Sequence, residues 1–457
     1  MRIGILAGFL ATFSLIAQER ETPPPLGTPK PFAIPAGDTF TLPNGMKVTL
    51  AQYGSVPLVS VHADIAFGHG SESADQVWIS DFLTEMMKEG TASLTAQQIA
   101  NEAARMGGQF NFNPGTDAST AGIDVLSEFA SDAVKLIADI LQHPKFPPQE
   151  LERIRANMLR QLSVQLATPQ AQANQAFAAT LYPDHAYGRL FPTEAQLKHY
   201  GLEDIRKFYA ANLGAQKTHL YVVGRFDAAT VKKTIETFFV NWAAGPPLER
   251  NPPKEIAKAN LVLIDRPGAV QSTLRLGLPI AVTPTDKDYI PLQVTNTLLG
   301  GAFTSRITIN IREQKGYTYS PFSQVLTRFH TTRWQESADV TTKFTADSVR
   351  EILFEVNRLR KDPPETQELK GTQNFLGGLF VLQNSSNQGI IGQLSFLEVH
   401  GLSEDYLRTY IQKVNAVTRG DVQRITESYL NPSKMTLVVV GDKSKIEDSL
   451  KPYQPKN

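Results

Sequence analysis

The sequence predicts an α+β protein of two homologous domains, each a mainly antiparallel β-sheet with helices packed on one face, joined by a proline-rich linker. Three observations predict it. The 457 residues exceed one typical domain. Proline-rich stretches occupy residues 21–37 and 243–255, and the second divides the chain into halves of ordinary domain size. The halves also repeat each other. "DIRKFYAANLGAQKTHLYVVG" from Asp204 matches "DVQRITESYLNPSKMTLVVVG" from Asp421 without a gap, at an offset of 217 residues. Leu213 meets Leu430, Lys217 meets Lys434, and Val222–Val223 meets Val439–Val440. "FASDAVKLI" from Phe129 matches "FTADSVREI" from Phe344 at 215, and Pro147–Pro148 matches Pro363–Pro364 at 216. Such slow drift of the offset is what loop insertions leave behind after a duplication.

In chain order, "MRIGILAGFLATFSLIAQER" carries one Arg and then an apolar run from Ile3 to Ala17, short for a membrane span and ending in a small residue. Residues 1–17 therefore read as a signal peptide; an uncleaved apolar anchor is the other reading. Export to a bacterial periplasm is expected, with secretion as the alternative. Residues 18–37 read as an extended tether. The N-terminal domain spans 38–242, the linker 243–258 and the C-terminal domain 259–452. "FTLPNGMKVTL" (40–50) reads as a hairpin with Asn44–Gly45 at its turn. "VSVHADIAF" (59–67) places Val59, Val61, Ala63, Ile65 and Phe67 on one face of a strand. Residues 132–162 read as helix interrupted at Pro147–Pro148, and each repeated segment reads as a helix followed by a buried strand ending at glycine. No segment after residue 17 resembles a transmembrane helix.

Composition narrows the function. Charge is balanced at 45 basic and 45 acidic residues, which argues against a nucleic-acid partner. The chain has no cysteine, so disulfides, thiolate metal sites and cysteine nucleophiles are excluded. There is no G-x-S-x-G, no phosphate-binding glycine loop and no H-E-x-x-H. Gly300–Gly301 reads as a helix-ending turn.

"WISDFLTEMMKEGT" (78–91) has the periodicity of a helix with Phe82, Leu83, Met86 and Met87 inward, and Asp81 and Glu85 together on another face. With "LPNGMKV" (42–48), "GHGSE" (68–72), "DHAYGR" (184–189) and "LLGGAFTSRITINIREQKGYTYS" (298–320), it resembles the pitrilysin/insulinase superfamily, in the two-domain branch similar to mitochondrial processing peptidase. The resemblance runs from about residue 38 to about 450. It implies an inverted zinc motif, H-x-x-E-H, on this helix and a third ligand, a Glu, from a later helix. Anchored on Gly90–Thr91, the histidine positions hold Asp81 and Glu85, the general-base position holds Thr84 and the third ligand position holds Gln161. A supporting acidic position holds Ile154.

No metal is therefore expected on this chain. The eight histidines include no pair at i, i+4 and each reads as satisfied or solvated; Asp81 and Glu85 read as two solvated acids.

The resemblance further implies that Arg312 and Tyr319, seven residues apart, reach toward a facing zinc site to hold substrate backbone and the developing oxyanion. By residue type alone, Arg312 is a surface helix residue beside Glu313 and Tyr319 a packed strand residue. Tyr317 has the wrong spacing from Arg312, and Arg306 is expected to brace its helix. The pattern is that of the non-catalytic subunit in a heterodimeric zinc peptidase acting on extended peptides, the zinc residing in the homologous partner. A scaffold like the respiratory core proteins, or a peptide-binding homodimer, is the alternative.

Overall fold

Two sheets organise the chain, one from each half of the sequence. The computed structural model describes Pro35 and residues 37–249, 251–329 and 331–455. The expected signal peptide and all but the last residues of the tether lie outside them. The first sheet holds β1 (Asp38–Thr41), β2 (Lys47–Gln52), β3 (Leu58–Ile65), β4 (Asn111–Asn113), β5 (Ser119–Leu126) and β6 (Thr218–Gly224), in the order β1-β2-β6-β3-β5-β4. Its pairs are antiparallel except β2 with β6. The 40–50 hairpin forms with Phe40 opposite Val48. Gly45 takes φ +91° there, a left-handed conformation that suits glycine, and the Asn44 amide donates to the carbonyls of Phe239 (2.7 Å) and Trp242 (3.0 Å).

The second sheet repeats the plan. β7 (Asn260–Asp265), β8 (Gln271–Ile280), β9 (Phe322–Arg328), β10 (Thr331–Thr341) and β11 (Thr436–Gly441) lie in the order β7-β11-β8-β10-β9, with β7 and β11 the parallel pair. β6 and β11 are the strands of the repeated segment, and every residue of both is buried. Each follows a helix, Leu202–Asn212 and Arg419–Tyr429. Helices of the same half pack on one face of each sheet. Ala130–Gln142 lies on β3 and β5, and buries Ala133, Val134, Ile137, Ile140 and Leu141. In the second half, Gly300 sits where a Cβ would come within 2.5 Å of Ser323 Oγ and 2.9 Å of Glu336 Oε2. Glycine there lets the helical turn Thr297–Gly301 lie directly on β9 and β10.

The opposite faces are covered by exchange between the halves. Helix Pro169–Leu181 of the first half lies on β8 and β11, where Ala173, Phe177 and Leu181 close over Val438 and Val440. Asn174 Oδ1 accepts from Arg275 Nε at 2.7 Å in the same contact. Helix Asn387–His400 of the second half lies on β3 and β6, tied by Lys47 to Glu398 (2.5 Å) and by Gln388 to Asp124 (2.6 Å). The described residues accordingly form one compact unit. Among the described residues no helix is long and apolar enough to cross a membrane.

Phe177 is 1% exposed and belongs to both halves. Phe177→Ala should cost about 3–5 kcal/mol, the usual loss for a large aromatic cut from a packed core. Because the contact is shared, both halves should unfold together and earlier. Chemical denaturation followed at separate probes in each half tests this; a shift confined to one half would refute it.

Candidate functional site

Helix Ile79–Lys88 keeps its inward face: Phe82, Leu83, Met86 and Met87 have no exposed surface. Its start is unusual. Trp78, the residue before the first turn, has φ +70°, left-handed and strained for a side chain of that size. A distant carboxylate supplies the missing cap. Glu72 Oε2 accepts from Trp78 N and Oε1 from Ser80 N, each at 3.0 Å. Both carboxyl oxygens thus satisfy N–H groups that the first turn of the helix leaves unpaired. The "DHAYGR" segment holds this corner from outside. Trp78 Nε1 donates to Leu190 O (2.9 Å), Arg189 donates to Glu72 O (3.1 Å), and the Tyr187 hydroxyl donates to Asp117 (2.5 Å).

The four positions where zinc chemistry would reside are dispersed. Asp81 turns to His69, whose Nε2 lies 2.9 Å from Asp81 Oδ2. Glu85, one turn on, pairs instead with Lys88 at 2.7 Å. Thr84 is wholly buried, and its hydroxyl donates back to the Asp81 carbonyl at 3.2 Å. A group sealed from solvent cannot deliver a water to a substrate, whatever its basicity. Gln161 is exposed on helix Leu151–Ala167, while Ile154 on the same helix is core. These positions do not fit zinc: no imidazole stands at either histidine position, and the acid that replaces the second is engaged elsewhere.

His69 and Glu72 are the residues the sequence reading passed over. Among the described residues, His69, Glu72 and Asp81 are the group of three with possible ligand atoms within 4.8 Å of one another. They satisfy each other: His69 meets Asp81, and both Glu72 oxygens take backbone N–H groups. Burial alone would lower the His69 pKa; its hydrogen bond to Asp81, with the charges of Asp81 and Glu72, outweighs that and raises it. Burial pushes the Glu72 carboxyl up to about 7, against the pull of His69 and the two N–H donors. The His69 ring thus lies close to two carboxyl groups beside helix Ile79–Lys88, which favours its protonated form. The signal was present as a His and a Glu three apart in "GHGSE", but only the fold brings them to Asp81.

The Arg/Tyr pair is brought together, with Arg312 partly buried and Tyr319 exposed. Arg312 lies in the π-helical turn Ile309–Gln314, and Tyr319 follows Thr318, whose hydroxyl is pinned to Asp339 O at 2.7 Å. The guanidinium carbon is 4.6 Å from the Tyr319 ring centre and 4.3 Å from that of Phe303, with Glu313 at 3.0 Å. Tyr319 is 77% exposed, so it is not a packed strand residue. Tyr317 stacks on Phe344 at 4.3 Å, and Arg306 forks onto Glu368 at 2.7 and 2.8 Å, bracing its helix as expected. Phe303 was not foreseen; its contact depends on the turn between two π-helical segments.

The family model described as Insulinase (Peptidase family M16) matches residues 47–191, and that described as Peptidase M16 inactive domain matches residues 200–376. A Bacillus subtilis protein named as the uncharacterized zinc protease YmxG is 23% identical over 410 residues, 85% of this chain and 96% of its own. A Helicobacter pylori protein named as the non-peptidase homolog YmxG is 19% identical over 397 residues, 85% of this chain and 90% of its own. The solved structure of a peptidase M16 inactive domain from Pseudomonas fluorescens is similar with a TM-score of 0.82 at 23% identity, covering 89% of this chain and 98% of that one.

Because the folded pKa of Glu72 lies above its ordinary 4.5, its contribution to stability is complete below that value and is lost as pH rises through about 7. His69, also raised, acts in the same direction. The stability of the wild type relative to Glu72→Gln should therefore fall by roughly 3 kcal/mol between pH 4.5 and pH 8. Urea denaturation across that range reads it; a difference independent of pH would contradict the assignment.

Proposed function

The chain belongs to the M16 (insulinase) peptidase family, and from that premise we infer that it is the non-catalytic subunit of a heterodimeric zinc peptidase. The observation that carries this reading is an asymmetry. The general-base position, Thr84, is buried and the histidine positions hold acids, while Arg312 and Tyr319 stand adjacent, the first partly buried and the second exposed. The chain would give a zinc-bearing homologous partner half of a substrate chamber and two donors for a carbonyl gaining charge. Extended peptides would be held by strand addition to a sheet edge. The apolar first seventeen residues support export, most simply to a periplasm.

One observation favours a second reading, a structural or peptide-binding protein without a proteolytic role. Arg312 is already sandwiched between Phe303 and Tyr319 and paired with Glu313, so its guanidinium is engaged in the free chain. The name of the Helicobacter pylori relative points the same way for that protein.

Purified alone, the chain should hold no stoichiometric zinc by elemental analysis and cleave no unfolded peptide. Combined with its zinc-bearing partner, Arg312→Ala or Tyr319→Phe should lower kcat by about 10²-fold or more while the pair still co-elutes. Zinc-dependent hydrolysis by the isolated chain would overturn the reading; unchanged kcat in both variants would favour the scaffold.

A further inference from the structure

The two repeats differ where their central strands face away from their own helices. At the 217-residue offset, β11 presents Thr436, Val438 and Val440, and the two valines lie under the apolar side of helix Pro169–Leu181. β6 presents His219, Tyr221 and Val223 at the matching places, under helix Asn387–His400. His219 is 8% exposed and Tyr221 1% exposed, and their rings stack 4.1 Å apart with planes 14° from parallel. His219 Nε2 shares a hydrogen bond with Thr49 Oγ1 at 2.8 Å. Its Nδ1 and the Tyr221 hydroxyl have no hydrogen-bond partner. A buried polar atom left unpaired costs free energy, and two on one wall ask for a ligand.

Both rings line a cavity of about 580 Å³, bounded also by Lys47, Asp64, Lys217 and Glu398. That volume suits a small organic molecule. Glu398 Oε1 receives Lys47 Nζ at 2.5 Å, while Oε2 stands 3.9 Å from His219 Nδ1. Asp64 and Glu398 both act on the Tyr221 hydroxyl, and the C-terminal, partially negative end of helix Asn387–His400 closes the same wall. The corner is therefore rich in acceptors. Burial holds His219 neutral, at about 4, so Nδ1 is an acceptor when Nε2–H is given to Thr49. Burial likewise keeps the Tyr221 phenol protonated, with its oxygen lone pairs available. Lys217, two residues before His219, also lines the cavity; it gives one N–H to Ala211 O at 3.1 Å and has two more to offer. The His69, Glu72 and Asp81 group within mutual ligand distance does not include this corner, which argues against a metal here.

We propose that this cavity binds a short peptide by its free N-terminal ammonium, which donates to His219 Nδ1, Tyr221 Oη and Glu398 Oε2, while the peptide carboxylate meets Lys217. An ammonium has three donors and the corner three acceptors; the cavity carries both charge signs, as a zwitterion does. The site uses this chain alone and stands apart from the zinc-partner reading, so the failure of either leaves the other intact.

The test is calorimetric titration of the full chain with tri-alanine and with N-acetyl-tri-alanine. Tri-alanine should bind at one site, and acetylation should weaken it at least ~10-fold. Tyr221→Phe should also weaken it by about 10-fold, with a melting temperature in the absence of peptide equal to or above the wild type. Glu398→Gln serves as a second variant with the same expected loss. Equal binding of the two peptides, no heat at millimolar tri-alanine, or undiminished binding in both variants would overturn the proposal. So would stoichiometric Zn²⁺ uptake that Glu398→Gln abolishes.

Discussion

The structure depends on covering the second face of each sheet. A sheet whose central strand is buried on every residue needs a layer on both sides. β6 and β11 are such strands, and each half's remaining helices occupy one side only. The exchange of helices Pro169–Leu181 and Asn387–His400 supplies the missing layers. It also makes the halves of a duplicated chain mutually dependent, since neither sheet is closed without the other half.

The exchange is not symmetric in chemistry. Over β11 the contact is apolar, and Phe177 and Leu181 fill it against Val438 and Val440. Over β6 it is polar, fixed by ion pairs and hydrogen bonds such as Lys47–Glu398 and Gln388–Asp124, and it encloses space. Polar side chains that must each find a partner pack less completely than interlocking hydrocarbons, so cavities gather on that side.

Helix Ile79–Lys88 separates two constraints, packing on one side and polar pairing on the other. Its inward face fits a core and tolerates little change, whereas its site-facing positions answer only to chemistry. Asp81 takes His69, Glu85 takes Lys88 and Thr84 closes on the backbone, so each polar group on that side has a partner. The Glu72 carboxylate still holds the helix start. The Arg312 cluster lies on turns that belong to the other half.

The α+β class, the duplication and its matched helix–strand segments, the 40–50 hairpin and the strand at 59–67 were legible in the chain, as were the identities of the residues at positions 81, 84, 85 and 161. These rest on local periodicity, turn chemistry and residue identity, which a linear reading preserves. The adjacency of Arg312 and Tyr319 was half legible: their spacing was evident, but Phe303 as the second face of the sandwich was not. Three features were decided by tertiary structure alone: the exchanged helices, the His69–Asp81–Glu72 group and the unpaired His219 and Tyr221 over a cavity. Each joins residues from different elements, and the exchanged helices and the cavity over β6 join different halves. Such contacts depend on how packed layers meet, and no pattern within a single segment records that.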